Sequence, residues 1–161
     1  MVDKIDQDEG LPRRPSYNDL SRREVRSLIF HLLYAMEAFD YNVSLEAIVE
    51  DFNRAYDLDI PGDSEVISIA QTVIDKRDEL DTQIRPLLIN WRFERIGICT
   101  KLILRMALWE LLNTDIAPNI IINEAIELAK CFSESDAYKF VNGILDEAVK
   151  SLKKDDKKED S

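Results

Sequence analysis

Apolar side chains return at helical intervals along most of the chain. After Ser21, the residues Val25, Leu28, Ile29, Leu32, Met36 and Phe39 recur every few positions and predict one buried stripe on a first helix. Ser21 stands at the N-cap of that pattern, where its hydroxyl can accept a free backbone N–H. The pattern restarts after Ser44 with Leu45, Ile48, Val49 and Phe52, and it breaks at Pro61-Gly62. It resumes near Asp63 or Ser64 with Val66, Ile69, Ala70, Val73 and Ile74. Its continuation, Leu80 to Asn90, contains Pro86, which lacks an N–H and predicts a kink or restart.

Residues 96–113 are apolar nearly all round, as expected of a helix at the centre of a bundle. Ile98, Leu102, Arg105, Trp109 and Leu112 share a stripe, which turns Arg105 inward. A buried guanidinium must be paired, so Arg105 is expected to play a structural part, with Glu110, Glu124 or Glu127 as partner. After Pro118, Asn119 is expected to cap a helix over Ile120 to Phe132, with Ile122, Ala125, Ile126 and Ala129 inward. Glu124 and Glu127 fall in its first turns, where the helix dipole favours carboxylates. Ser133-Glu134-Ser135-Asp136 reads as a capping box for a last helix, striped by Ala137, Val141, Ile144, Leu145, Ala148 and Leu152. Gly143 inside that helix costs about 1 kcal/mol against alanine and predicts close approach of a backbone or ligand. No stretch alternates long enough for a sheet. The expected fold is all-α: a compact bundle of about seven helices over residues 21–152, between an N-terminal arm (1–20) and a charged tail (153–161).

Composition removes most enzyme classes. The chain has 161 residues, enough for one domain with its own core. Its four glycines are scattered, which excludes phosphate loops and dinucleotide fingerprints. Cys99 and Cys131, with His31 the only histidine, cannot make a four-ligand zinc site without carboxylates. Both cysteines sit among apolar neighbours and read as reduced core thiols. His31 lies within the first helix with no readable catalytic partner. No enzyme activity, metal or cofactor is expected. No apolar run reaches the ~20 residues of a membrane span, and the N-terminus lacks a signal-peptide pattern. The expected location is cytoplasmic.

The net charge of −11 argues on its face against a nucleic-acid partner. Its distribution reverses that inference. Residues 11–34 carry five arginines against Asp19 and Glu24, a net +3, which leaves −14 for the rest of the chain. Arg23, Ser27, Phe30 and Tyr34 follow helical spacing away from the core stripe, with Arg26 beside Phe30. Guanidinium groups hold phosphates and aromatic rings stack unpaired bases, so this patch fits single-stranded RNA. By pattern alone it fits better a solvated helix start whose aromatics widen the core stripe.

Ile122-Asn123-Glu124-Ala125-Ile126-Glu127-Leu128-Ala129-Lys130 and Lys139-Phe140-Val141-Asn142-Gly143-Ile144-Leu145-Asp146 resemble the two C-terminal signatures of the NusB family of transcription antitermination factors. Ile103 to Leu111 resembles its central helix, Asn90-Trp91 and Arg95-Ile96 the turn before it, and Arg22-Arg23 to Tyr34 its arginine-bearing first helix. The resemblance implies a non-enzymatic RNA-binding protein that pairs with the ribosomal protein NusE. The pair would bind the boxA element of ribosomal RNA leaders, join other Nus factors on RNA polymerase and suppress termination. By position it implies RNA contacts from Arg22, Arg23, Arg26 and Tyr34, with Phe30 beside them, and from Asp136, Lys139 and Phe140. Asp136 would accept from a base edge or orient an arginine. Glu94 and Lys101 are the candidates for contact with NusE. Glu24 interrupts the arginine run where many relatives are basic, and the arm with Arg13 and Arg14 lies outside the resemblance. Two other classes remain open: an RNA-binding module like those fused to ribosomal RNA methyltransferases, against which stands the lack of a glycine-rich cofactor loop, and a helical protein–protein adaptor whose acidic body takes a basic partner.

Overall fold

The computed structural model describes residues 16–159, and the helical periodicities become seven α-helices there. They are α1 (Arg22–Ala38), α2 (Leu45–Tyr56), α3 (Glu65–Asp75), α4 (Arg77–Ile84), α5 (Ile98–Asn113), α6 (Pro118–Phe132) and α7 (Ala137–Glu159). No strand occurs among the described residues. Short 3-10 turns occupy Tyr17–Asp19, Arg85–Leu87 and Phe93–Arg95, the second carrying Pro86 where the restart was expected.

Side-chain caps set three of the starts. The Ser21 hydroxyl accepts from the Glu24 N–H at 3.1 Å, and the Glu24 carboxylate accepts from the Ser21 N–H at 2.6 Å. Glu24 therefore completes a capping box, and its carboxyl is held below the usual range by those two bonds to Ser21. Ser44 and Ser64 accept from Ala47 and Ile67 in the same way. Two expected caps are corrected. Pro118 is itself the first residue of α6, because its missing N–H is one the first turn does not need, so Asn119 lies inside the helix. The capping box expected at 133–136 does not form. Ser133 instead closes α6 and accepts from the Thr100 hydroxyl at 3.2 Å, while Asp136 turns the chain with φ 69° before α7 starts.

The centre of the bundle is α5, which packs against α1, α3, α4, α6 and α7. Leu102, Ile103 and Leu104 are buried to within 1% of complete. The stripe read along α5 is too long at both ends, since Ile98 and Leu112 are exposed. Phe39 likewise closes α1 as an exposed C-cap and not as a core residue.

Arg105 is buried and paired, but its partner is Asp81 of α4, at 2.7 and 2.8 Å, with Glu37 at 3.8 Å. None of the three expected glutamates serves it. Glu110 and Glu124 are taken by arginines of α1, and Glu127 pairs with Lys130. Packing of α4 on α5 supplies the nearer carboxylate. Cys99 is half-buried and Cys131 is exposed, so only one of the two thiols approaches the core. The helical phase of α7 continues through Lys153 and Lys154 to Glu159, into the segment read as a tail.

Candidate nucleic-acid interface

The first helix divides its arginines between solvent and core. Arg22 is exposed, and the Arg23 side chain is 64% exposed. Arg23 nonetheless donates from Nε and Nη2 to Glu124 of α6 at 3.1 and 3.0 Å. That hydrogen-bonded pairing holds the Glu124 carboxyl below its usual range. Arg26 is buried, and its Nε lies 3.0 and 3.2 Å from the two Glu110 oxygens. Phe30 is buried as well, stacked on Phe132 at a centroid distance of 4.8 Å.

Arg26 and Phe30 therefore belong to the packed side of α1 and do not lie on its open face. The reason is helical phase: Arg26, Ile29, Leu33 and Met36 are spaced three, four and three, and all are buried. The outer face runs instead through Arg23, Ser27, His31 and Tyr34, of which Arg23, His31 and Tyr34 are exposed. His31 is the residue that sequence reasoning passed over. Its ring meets Phe132 edge-on at 4.9 Å, and its Nδ1 lies 2.6 Å from the Ser27 carbonyl. The spacing of four from Ser27 was the signal that could have found it.

The end of α6 links this face to α7. Phe132 is partly exposed. Two residues earlier, Lys130 places its Nζ 5.1 Å from the Tyr138 ring centre, and Lys139 approaches the same ring at 5.9 Å. Such cation–π contacts order long side chains at little cost in solvation. Asp136 and Lys139 are both largely exposed and 3.7 Å apart. Phe140 is half-buried and meets Trp91 at 5.2 Å, with the rings inclined by 61°. Trp91 comes from the segment between α4 and α5, and with Phe140 it walls a groove of about 520 Å³.

Glu94 and Lys101 fall into one cluster around Phe93. Glu94 accepts from Arg85 at 2.7 Å, a bond that holds its carboxyl below the usual range. Arg85 and Lys101 lie over the Phe93 ring at 4.3 and 4.7 Å. Gly143 is exposed, and a Cβ there would meet nothing within 4 Å, so no backbone among the described residues makes the close approach that was expected. Among the described residues, no group of three or more His, Cys, Asp or Glu is placed to hold a metal ion. No helix among them is long and apolar enough to cross a membrane.

Comparison with known proteins gives this geometry a family. A model of the NusB family matches residues 23–150. The transcription antitermination protein NusB of Macrococcus caseolyticus (strain JCSC5402) is 38% identical over 136 residues, covering 82% of this chain and 98% of the relative. That of Staphylococcus haemolyticus (strain JCSC1435) is 39% identical over 129 residues, covering 78% and 97%. The solved structure of T. maritima NusB superposes with a TM-score of 0.70 at 32% identity, covering 81% of this chain and 92% of that one. A chain from the crystal structure of a plectonemic RNA supercoil shares the fold, with a TM-score of 0.68 at 21% identity, covering 81% of this chain and 95% of that one. The chain therefore belongs to the NusB family, whose members are transcription antitermination factors and not enzymes.

Proposed function

We propose that the chain binds boxA-type single-stranded RNA of ribosomal RNA leaders together with the ribosomal protein NusE. The loaded complex joins other Nus factors on RNA polymerase and suppresses premature termination. The observation that carries this reading is a set of exposed cations and aromatic rings on α1, the end of α6 and the start of α7. Arg22, Arg23 and Tyr34 are exposed on α1, His31 meets the ring of Phe132, and Lys130 and Lys139 approach Tyr138, next to Phe140. Exposed cations hold phosphates, and open rings stack bases that are not paired. Asp136, beside Lys139, supplies an acceptor for a base edge. The remaining −14 of charge suits a basic partner protein, and Glu94 and Lys101 are the proposed contacts with it.

One observation favours a second reading, an adaptor with little RNA affinity of its own. Arg23 and Arg26 are already engaged with Glu124 and Glu110, so fewer guanidinium groups are free for phosphate. Titration of labelled boxA RNA, with and without NusE and at two salt concentrations, separates the two. Weak binding alone and a cooperative gain with NusE are expected; no gain would put the adaptor reading ahead. Replacing Arg22 and Arg23 together with alanine should weaken binding and flatten its salt dependence, by about 0.7 in log–log slope for each phosphate no longer neutralised.

A further inference from the structure

The groove between Trp91 and the start of α7 has the parts that one unstacked base needs. Trp91 is 61% exposed. Its ring is nevertheless held, because Phe140 contacts it at 5.2 Å and fixes its inclination. An indole fixed by one aromatic neighbour and otherwise open is a stacking surface that loses little freedom when a base lies on it. The adjoining space of about 520 Å³ is of the size that small ligands occupy.

The polar groups at the groove are of two kinds. Glu134 and Asp136 bring carboxylates, and Arg95 and Lys139 bring cations, all four exposed. Carboxylates accept from an exocyclic amine, such as the N4 amine of cytosine, and offer nothing to the O4 acceptor that uracil carries in the same position. The cations suit the phosphates flanking an extruded nucleotide, and contacts made there carry no base information; Lys139 also lies 3.7 Å from Asp136.

The geometry points to a platform for one amine-bearing base of single-stranded RNA, with Trp91 as the stacking surface, Asp136 and Glu134 at the base edge, and Arg95 at the backbone. This rests on the RNA-binding function proposed above and extends it to Trp91 and Arg95, which lie outside α1 and α7.

The chain has two tryptophans, so Trp109→Phe leaves Trp91 as the sole indole reporter. In that background, oligocytidine should quench Trp91 emission saturably, and oligouridine of the same length should bind about ten-fold more weakly. Trp91→Ala should lower affinity for labelled boxA RNA about ten-fold, and Trp91→Phe should recover most of it. Thermal melting of each variant separates a binding loss from a folding loss. The platform is overturned if RNA binds by anisotropy while Trp91 emission stays unchanged, if cytidine and uridine oligomers bind equally, or if Trp91→Ala binds as tightly as the parent. It is also overturned if NusE alone protects Trp91, which would give this face to a protein. Failure of the unsubstituted chain to bind boxA RNA at all, with or without NusE, overturns the function proposed above and the platform with it.

Discussion

Because an α-helix turns about 100° per residue, the step from Arg23 to Arg26 carries a guanidinium from solvent into the packed side of α1. Both arginines have carboxylate partners, but the settings differ. Arg23–Glu124 is open on the arginine side, whereas the Arg26 and Glu110 side chains are 10% and 17% exposed. Breaking a buried pair leaves an uncompensated charge, so Arg26→Ala should destabilise the fold by about 3–5 kcal/mol in urea denaturation. Arg26→Met with Glu110→Leu should recover much of that loss, since both charges then leave together. Arg23→Ala should lower the urea midpoint much less, because the arginine side of that pair is open to water, and should weaken RNA binding. Equal midpoints for the Arg26→Ala variant and the parent would return Arg26 to the surface. The burial of Leu28, Ile29, Leu32 and Met36 was legible in the sequence, and so was that of Arg105; the open face of α1 was not, since Arg26 and Phe30 are buried. Nor was partner choice. Asp81 reaches Arg105 only because α4 packs on α5, and no local spacing encodes that pairing.

Tyr41, beside that same network, makes a pH-dependent prediction. Partial burial, then its hydrogen bond to Glu37, pushes the phenol up to about 12 from an ordinary 10.0. Arg77 also covers its ring at 4.0 Å. A raised folded value means that the unfolded chain ionises first. The contribution is complete below pH 10.0, declines as pH rises above it and is lost by about 12. Tyr41→Phe should therefore remove part of the alkaline loss of stability in that window and none near neutrality. The check is urea denaturation of both proteins across that window; parallel curves for the two would refute it.

At the scale of elements, serine caps and apolar stripes marked the starts of α1, α2 and α3 because the signals are local. The failures came where two elements share a boundary. Ser133 is spent on Thr100 of α5, so α7 begins later than its composition suggests, behind a left-handed Asp136. The far end of α7 also outran its reading, since Lys, Asp and Glu at helical spacing are compatible with continued helix once the first turns are packed. Gly143 makes the prediction at this scale. It sits mid-helix with open space where a Cβ would go, so Gly143→Ala should stabilise the chain by about 1 kcal/mol. A loss of stability on denaturation would reveal a close neighbour within the fold. A gain in stability with weaker RNA or NusE binding would place the close approach in the complex.

Across the whole molecule, a charge of −11 hides a basic segment of +3 on a body of −14. These two parts answer salt in opposite directions. The body repels itself, and screening weakens that repulsion. The exposed ion pairs, such as Arg85–Glu94 and Lys150–Glu147, each hold too little energy for their screening to offset the gain. Raising salt to about 0.5 M, where the Debye length falls to roughly 4 Å, should therefore raise the melting temperature of the chain alone. The same change should weaken RNA binding, because phosphate contacts release counterions, and should slow association with a basic partner. A melting temperature that falls with salt would mean that attractive pairs, not self-repulsion, dominate the body. RNA binding indifferent to salt would mean that the cations of α1 and α7 do not meet phosphate. The −11 total would then return to its plain meaning, a protein whose surface turns nucleic acid away.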